Sequence, residues 1–239
     1  MYLCFISVFV IFCVSLYIFV SLSKPSYISF TYPNGKQMAY VSTWDDYHNI
    51  NDYIKLSELN EGLVPLTMFI DTINLDEEYI AKLNTLIPFN TIESHSMTHP
   101  LNPNNDTEYI QSQIDIQRLF GQKYATTYAY PYGNIPDNMT TVRKTYLAAR
   151  TCEYGFVNST DMHLLNSLPI EKLEEEDIIE AINNNYALIT IGHGLDDGWR
   201  PISVKNYKKH LSYLKKHSGK IWFTTLPEFV SYLHSTKQI

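Results

Sequence analysis

Cysteine is scarce in this chain of 239 residues. There are three: Cys4 and Cys13 lie in an apolar N-terminus and only Cys152 in the body, so the fold does not depend on an internal disulfide. Charge is thin as well. Charged side chains make up 18%, the net charge is -7, and lysine and arginine are scattered, which removes the basic footprint of a nucleic-acid binder. Nine glycines and eleven prolines are too few for a collagen-like chain, and a hydrophobic content of 45% excludes a disordered one. No internal repeat, low-complexity tract or interdomain linker interrupts the sequence. The length suits one catalytic-size domain with its own core and is too short for two ordinary enzyme domains.

Residues 2–22 contain neither a charge nor a proline. As a helix rising about 1.5 Å per residue, this run reaches across the ~30 Å of a bilayer core. An uncleaved membrane anchor is the expectation for 1–24. A signal peptide cleaved near Ser21 and Ser23, and so a secreted body, is the alternative. Lys24 alone flanks the run closely, so charge does not set its orientation. Sequons at Asn105, Asn138 and Asn158 would receive glycans if the body enters a eukaryotic secretory lumen.

After a connector over 25–37, apolar β-rich runs alternate with amphipathic stretches through 38–239. This is the pattern of βα units around a parallel sheet, and a barrel-like α/β domain is its simplest closure. Seven strands are expected, near 38–44, 65–70, 91–94, 125–130, 149–156, 187–191 and 221–224. Helices are expected over 49–60, 76–86, 107–120, 136–148, 174–183, 203–217 and 227–233, with Asp76 and Thr107 as N-caps. In such a barrel chemistry belongs where strands end.

Polar residues gather at those ends. Asp45 and Asp46 follow the first strand; adjacent strand-end residues point different ways, so one carboxylate can hold a metal while the other stays free as a base. Taken alone, such a pair is more often an N-cap or a solvated turn. His95 and His99, four apart on a helical turn, can bind one metal with Asp46 as third ligand, leaving positions open for water and substrate. In the turn from Tyr128 to Asn134, Pro131 and Gly133 can aim a backbone N–H at an oxyanion while the tyrosines wall a sugar site. His193, between Gly192 and Gly194 after an apolar run, reads as a general acid, against a core histidine. Arg150, at the start of the fifth strand, requires an acidic partner if buried and is otherwise a surface residue.

Taken in order, Thr43-Trp44-Asp45-Asp46, His95-Ser96-Met97-Thr98-His99-Pro100, Tyr130-Pro131-Tyr132-Gly133 and Ile191-Gly192-His193 resemble the polysaccharide deacetylases, carbohydrate esterase family 4, with their NodB homology domain. The resemblance spans about 38–233. It implies a distorted (β/α) barrel of seven or eight strands and one divalent metal, commonly zinc, held by Asp46, His95 and His99. It implies Asp45 as base, His193 as acid, the Tyr132 amide on the oxyanion and Ile191 against the acetyl methyl. The substrate would be an N-acetylated glycan, with O-acetyl groups the second choice, and the membrane segment tilts this toward a polymer outside the cytosol. A small amide or imide, or glycan binding without turnover, are the rival readings. The chain departs from the pattern at Tyr47, where a glycine is usual, and at Ala129, where many members carry an arginine that holds the base. Charge need points to Arg150 as its substitute. The later Asp-x-x-Asp-Trp type motif is not evident after the fifth strand.

Overall fold

A computed structural model describes residues 26–46, 50–73 and 75–239. The apolar run over 2–22 and Tyr47 lie outside the described residues, and no helix among the described residues is long and apolar enough to cross a membrane. Eight parallel strands form: β1 (Met38–Asp45), β2 (Leu66–Ile70), β3 (Thr91–Ser94), β4 (Thr127–Ala129), β5 (Ala148–Tyr154), β6 (Leu165–Pro169), β7 (Ala187–Gly192) and β8 (Ile221–Thr224). Strands β1 to β7 close the barrel, because β1 bonds to β7 along 39–44 and to β2 along 42–45. The first half of β1 also bonds to β8, so β1 is buried over its whole length.

The expected barrel is therefore present, with one strand more than the sequence pattern suggests. Strand β6 escapes the pattern because its Leu-Asn-Ser-Leu-Pro has no β-branched residue and ends on proline. It is a strand because β5 and β7 flank it, with Arg150 facing Leu165 and Leu168 facing Thr190. Helices α1 (Ile50–Asn60), α2 (Glu77–Leu86), α3 (Asp106–Phe120), α4 (Thr140–Thr145), α5 (Glu175–Asn184), α6 (Val204–His217) and α7 (Leu226–Ser235) complete the units. Asp76 caps α2 as expected, accepting from the Tyr79 amide at 2.7 Å. Thr107 is not a cap: α3 starts one residue earlier, and Asn105 accepts from the Thr107 amide. The helix expected over 136–148 shrinks to α4, because Asn138 takes the Thr140 amide in a turn and Ala148 belongs to β5.

Alternation along each strand separates two apolar layers. Ala39, Val41, Phe69, Ala129, Ala148 and Ile189 share an inner cluster with Leu226, Phe229 and Val230 of α7. Met38, Tyr40 and Trp44 belong to the outer cluster, with Leu56 of α1 and Tyr207, Leu211 and Leu214 of α6. Trp44 meets Tyr207 edge to face at 5.7 Å and covers Gly192, where any Cβ would approach the indole to 2.8 Å. Only glycine permits that approach, and the next residue is His193.

In the outer layer the buried His210 accepts from or donates to the Tyr40 hydroxyl at 2.7 Å through Nε2, while its Nδ1 has no hydrogen-bond partner among the described residues. Burial pushes its pKa down to about 4. The unfolded chain, with histidine near 6.5, binds more protons between these values, so the stabilisation is complete above pH 6.5 and is lost as pH falls toward 4. Denaturant titrations at pH 7 and pH 5 are expected to differ by about 2 kcal/mol from this residue, and His210→Gln should flatten that difference.

Candidate active site

The inward alternation of β1 carries Val41 and Asp45 to the barrel interior, and the chain then turns at Asp46, whose φ is 73°. Tyr53 of α1 pins that turn, donating to the Asp46 carbonyl at 2.8 Å. The two neighbouring aspartates consequently face different partners. Asp46 Oδ1 lies 3.4 Å from His95 Nε2 and 3.2 Å from His99 Nε2. Burial would raise the Asp46 carboxyl, but hydrogen bonds to the two imidazoles outweigh it and hold the carboxyl well below the usual carboxylate range.

His95 follows β3 directly. Its Nδ1 donates to the Ala129 carbonyl at 2.9 Å, so Nε2 is the nitrogen turned toward Asp46: protonated it donates to the carboxylate, and in the neutral ring it offers its lone pair to an ion. His99 arrives by a different route from the helical turn expected. Residues 95–100 form an irregular loop in which Ser96 (φ 77°) and His99 (φ 55°) are left-handed. Two local devices hold it: Ser96 Oγ accepts from the His99 amide at 2.9 Å, and the buried Glu108 carboxylate of α3 accepts from the amides of Met97 and Thr98 and from the Thr98 hydroxyl. One carboxylate oxygen and two imidazole nitrogens lie within 4.8 Å of one another. This mixed O/N set, with its tautomer fixed from behind, fits a divalent ion with open coordination positions.

Asp45 takes the other direction. Arg150, fully buried on the inner face of β5, binds it through Nη2, 2.5 Å from Oδ1 and also in contact with Oδ2. The guanidinium stands over the Phe69 ring, 5.4 Å from its centroid. Burial works against the charged Arg150, and Asp45 offsets it, so the guanidinium stays ionised. The arrangement follows from register: Ala129 of β4 pairs with Arg150 of β5, so the arginine enters from the strand beside the position where the motif lacks one.

A cavity of about 510 Å³ opens above these groups and is lined by Asp45, Asp46, His95, His99, Ile191 and His193. Burial lowers the His193 pKa, with Asp45 and Asp46 opposing that shift. Tyr132 stands 57% exposed at the rim, its ring against His99 with centroids 4.5 Å apart and its φ of 57° imposed by the Pro131–Gly133 turn. The expected tyrosine wall is narrower than the sequence suggests. Tyr130 and Tyr132 line the cavity, whereas Tyr128 is packed in the core against Tyr109 and Tyr146. Cys152, Pro169, Trp199 and Arg200 also line the cavity and carry no motif that would have singled them out. Glu108 could have been noticed only as an acidic residue in the first turn of α3.

Fold and site define a parallel barrel with a candidate metal centre and a clamped carboxylate at the C-terminal ends of its strands. The polysaccharide deacetylase family model matches residues 24–148, and the chain belongs to that family. No curated protein matches the sequence. Solved structures agree in fold at low identity. A Mycobacterium smegmatis protein assigned as a polysaccharide deacetylase is 11% identical, with 90% of this chain and 96% of that one covered and a TM-score of 0.62. The peptidoglycan deacetylase PdaC of Bacillus subtilis is 18% identical, covers 87% and 97%, and scores 0.52. BA3943 of Bacillus anthracis, a CE4 family pseudoenzyme, is 14% identical, covers 83% and 67%, and scores 0.53.

Proposed function

We propose that the protein removes N-acetyl groups from a glycan by metal-dependent hydrolysis, releasing acetate and a free amine. The observation that carries this reading is the pair of separate fates of adjacent carboxylates, Asp46 on the two imidazoles and Asp45 on Arg150, at the floor of one cavity. Asp46, His95 and His99 would hold one divalent ion, with zinc the best fit to this donor set. When bound, such an ion polarises the acetyl carbonyl and lowers the pKa of water. Asp45 accepts the proton of the attacking water, and Arg150 orients that carboxylate. The Tyr132 amide stabilises the oxyanion, Ile191 receives the acetyl methyl, and protonated His193 delivers a proton to the nitrogen as the C–N bond breaks. The same reading places the body outside the cytosol, tethered by residues 2–22, where polymeric N-acetylated glycans occur; a glycosidase-sensitive mobility shift in a eukaryotic host would register the exposed Asn105, Asn138 or Asn158.

Mass spectrometry of acetate release from a panel of N-acetylated oligosaccharides, with small amides and cyclic imides alongside, tests the reaction. Release from the glycans, abolished by chelator and restored by zinc, is the expected result. Turnover of the small amides alone would replace the reading with the rival one, and binding without turnover would make the chain a pseudoenzyme. Elemental analysis should find about one metal per chain, and His95→Ala should remove most of it because two ligands hold a divalent ion poorly.

A further inference from the structure

A second cavity, of about 380 Å³, shares no lining residue with the catalytic one and opens between the end of β5, β6 and α5. Its walls come from distant parts of the chain. A register shift in the β5–β6 ladder between Arg150 and Tyr154 bends the strand, and Tyr154 stands 63% exposed at its end. Gly155 follows with φ 141°, and a Cβ there would meet the Tyr27 ring at 3.0 Å, so glycine is what lets that ring approach. Tyr27 is held in place by its neighbours, the Ile28 and Phe30 amides bonding to the Val157 and Asn185 carbonyls. Its ring meets Phe156 at 5.1 Å and Tyr186 at 5.3 Å between centroids, both edge to face. Three rings thus brace one another, and the buried Leu168 backs the groove.

The remaining wall is one face of α5, where Asp177, Glu180 and Asn184 follow each other at helical spacing. Elsewhere at this helix the acids are neutralised: Glu174 by Lys209, and Glu175 by Lys216 and His217. Asp177 accepts only from the Glu174 amide, and neither it nor Glu180 has a cationic partner among the described residues. No lysine or arginine lines the groove. Burial and the Glu180 carboxylate both push the Tyr27 phenol up, so it stays protonated and the acid faces aromatic rings instead of a counter-ion. Carboxylates beside the faces and hydroxyls of tyrosines, with no cation of the protein's own, are the surroundings that attract an organic cation.

We propose that this groove binds a protonated amino sugar, its ammonium between Glu180 and the tyrosine rings, and so holds stretches of glycan that have already lost their acetyl groups. The inference rests on the deacetylase reading for the source of that amine and on the groove for its chemistry. An ammonium gives its N–H bonds to Asp177 and Glu180, which a quaternary ammonium cannot do. The sugar ring adds an apolar C–H face for Tyr154 and hydroxyls for Asn184 and the phenols, which a lysine side chain lacks. An N-acetylated sugar carries no charge and leaves Glu180 without a partner, so the groove discriminates product from substrate.

The test is hydroxyl-radical footprinting of the purified full-length chain at about pH 6, where an amine carries its proton, read residue by residue by peptide mass spectrometry. The probes are the β-1,4-linked dimer of glucosamine, its N-acetylated counterpart and tetramethylammonium. Tyr154 reports on the groove and Tyr132 on the catalytic cavity, so binding at the two places is read separately. The glucosamine dimer should protect Tyr154 at concentrations about tenfold below either of the other probes. Glu180→Gln should weaken that protection about tenfold, and Tyr154→Ala, read at Tyr186, should do the same. Tyr154→Phe should keep it, as should Glu176→Gln, an exposed acid of α5 outside the groove. Equal protection by the N-acetylated dimer, stronger protection by tetramethylammonium, or an unaltered Glu180→Gln variant overturns the proposal. Acetate release from N-acetylated oligosaccharides without protection of Tyr154 overturns the groove alone. Protection of Tyr154 in a chain that releases no acetate upholds the groove and overturns the deacetylase reading, so the two failures are distinguishable.

Discussion

Asp45→Asn is expected to lower kcat by about 10²-fold or more while leaving one metal per chain. The amide keeps an oxygen for Arg150 but cannot take a proton from water, so the loss falls on turnover and not on assembly of the site. Elemental analysis beside steady-state kinetics separates the two. Loss of the metal with Asp45→Asn would show that the neighbouring aspartates have been assigned the wrong way round. Asp45 and Asp46 are adjacent in the chain, yet one meets Arg150 and the other His95 and His99, which is why the two substitutions should differ so sharply.

Arg150→Ala should be the most damaging change to stability, costing about 3–5 kcal/mol in denaturant titrations. It removes the partner of a buried carboxylate and leaves Asp45 a 4.0 Å contact to His95 Nε2, which is charged only when that ring is protonated. Removing both charges as Asp45→Asn with Arg150→Ala should cost less than the sum of the single changes, since the unpaired charge is then absent. A more specific expectation follows from register. Ala129 faces Arg150 across the β4–β5 pairing, and Ala129 belongs to the inner cluster, so Ala129→Arg in the Arg150→Ala background should restore part of both stability and turnover. No recovery of turnover there would leave Arg150 a structural counter-ion and remove its role in orienting the base.

Much of the barrel was legible because its signals are local. The apolar run of β1 and the Asp76 cap each express themselves within a few residues, and both appear where the sequence places them. Strand β6 did not, since neither its residues nor its periodicity favour a strand and only pairing to β5 and β7 makes it one. The same division runs through the site. The spacing of His95 and His99 indicated a shared metal, but the loop that joins them is shaped by Ser96 and by Glu108, ten and eleven positions from the amides it holds.

The sequence by itself determined the order of the motifs, the alternation that turns Asp45 inward, and the choice of Asp46, His95 and His99 as a donor set, because residue type, period and spacing act over one strand or one turn. Charge need in the sequence pointed to Arg150 as the holder of Asp45, and the tertiary structure supplies that contact across 105 positions; the tertiary structure alone decided that Trp199 stands at the rim of the same cavity. Those neighbours are set by closing the barrel, where register brings β4 beside β5 and the loop after β7 over the strand ends. Contacts of that kind depend on the whole sheet being paired at once, and no short stretch of sequence encodes them.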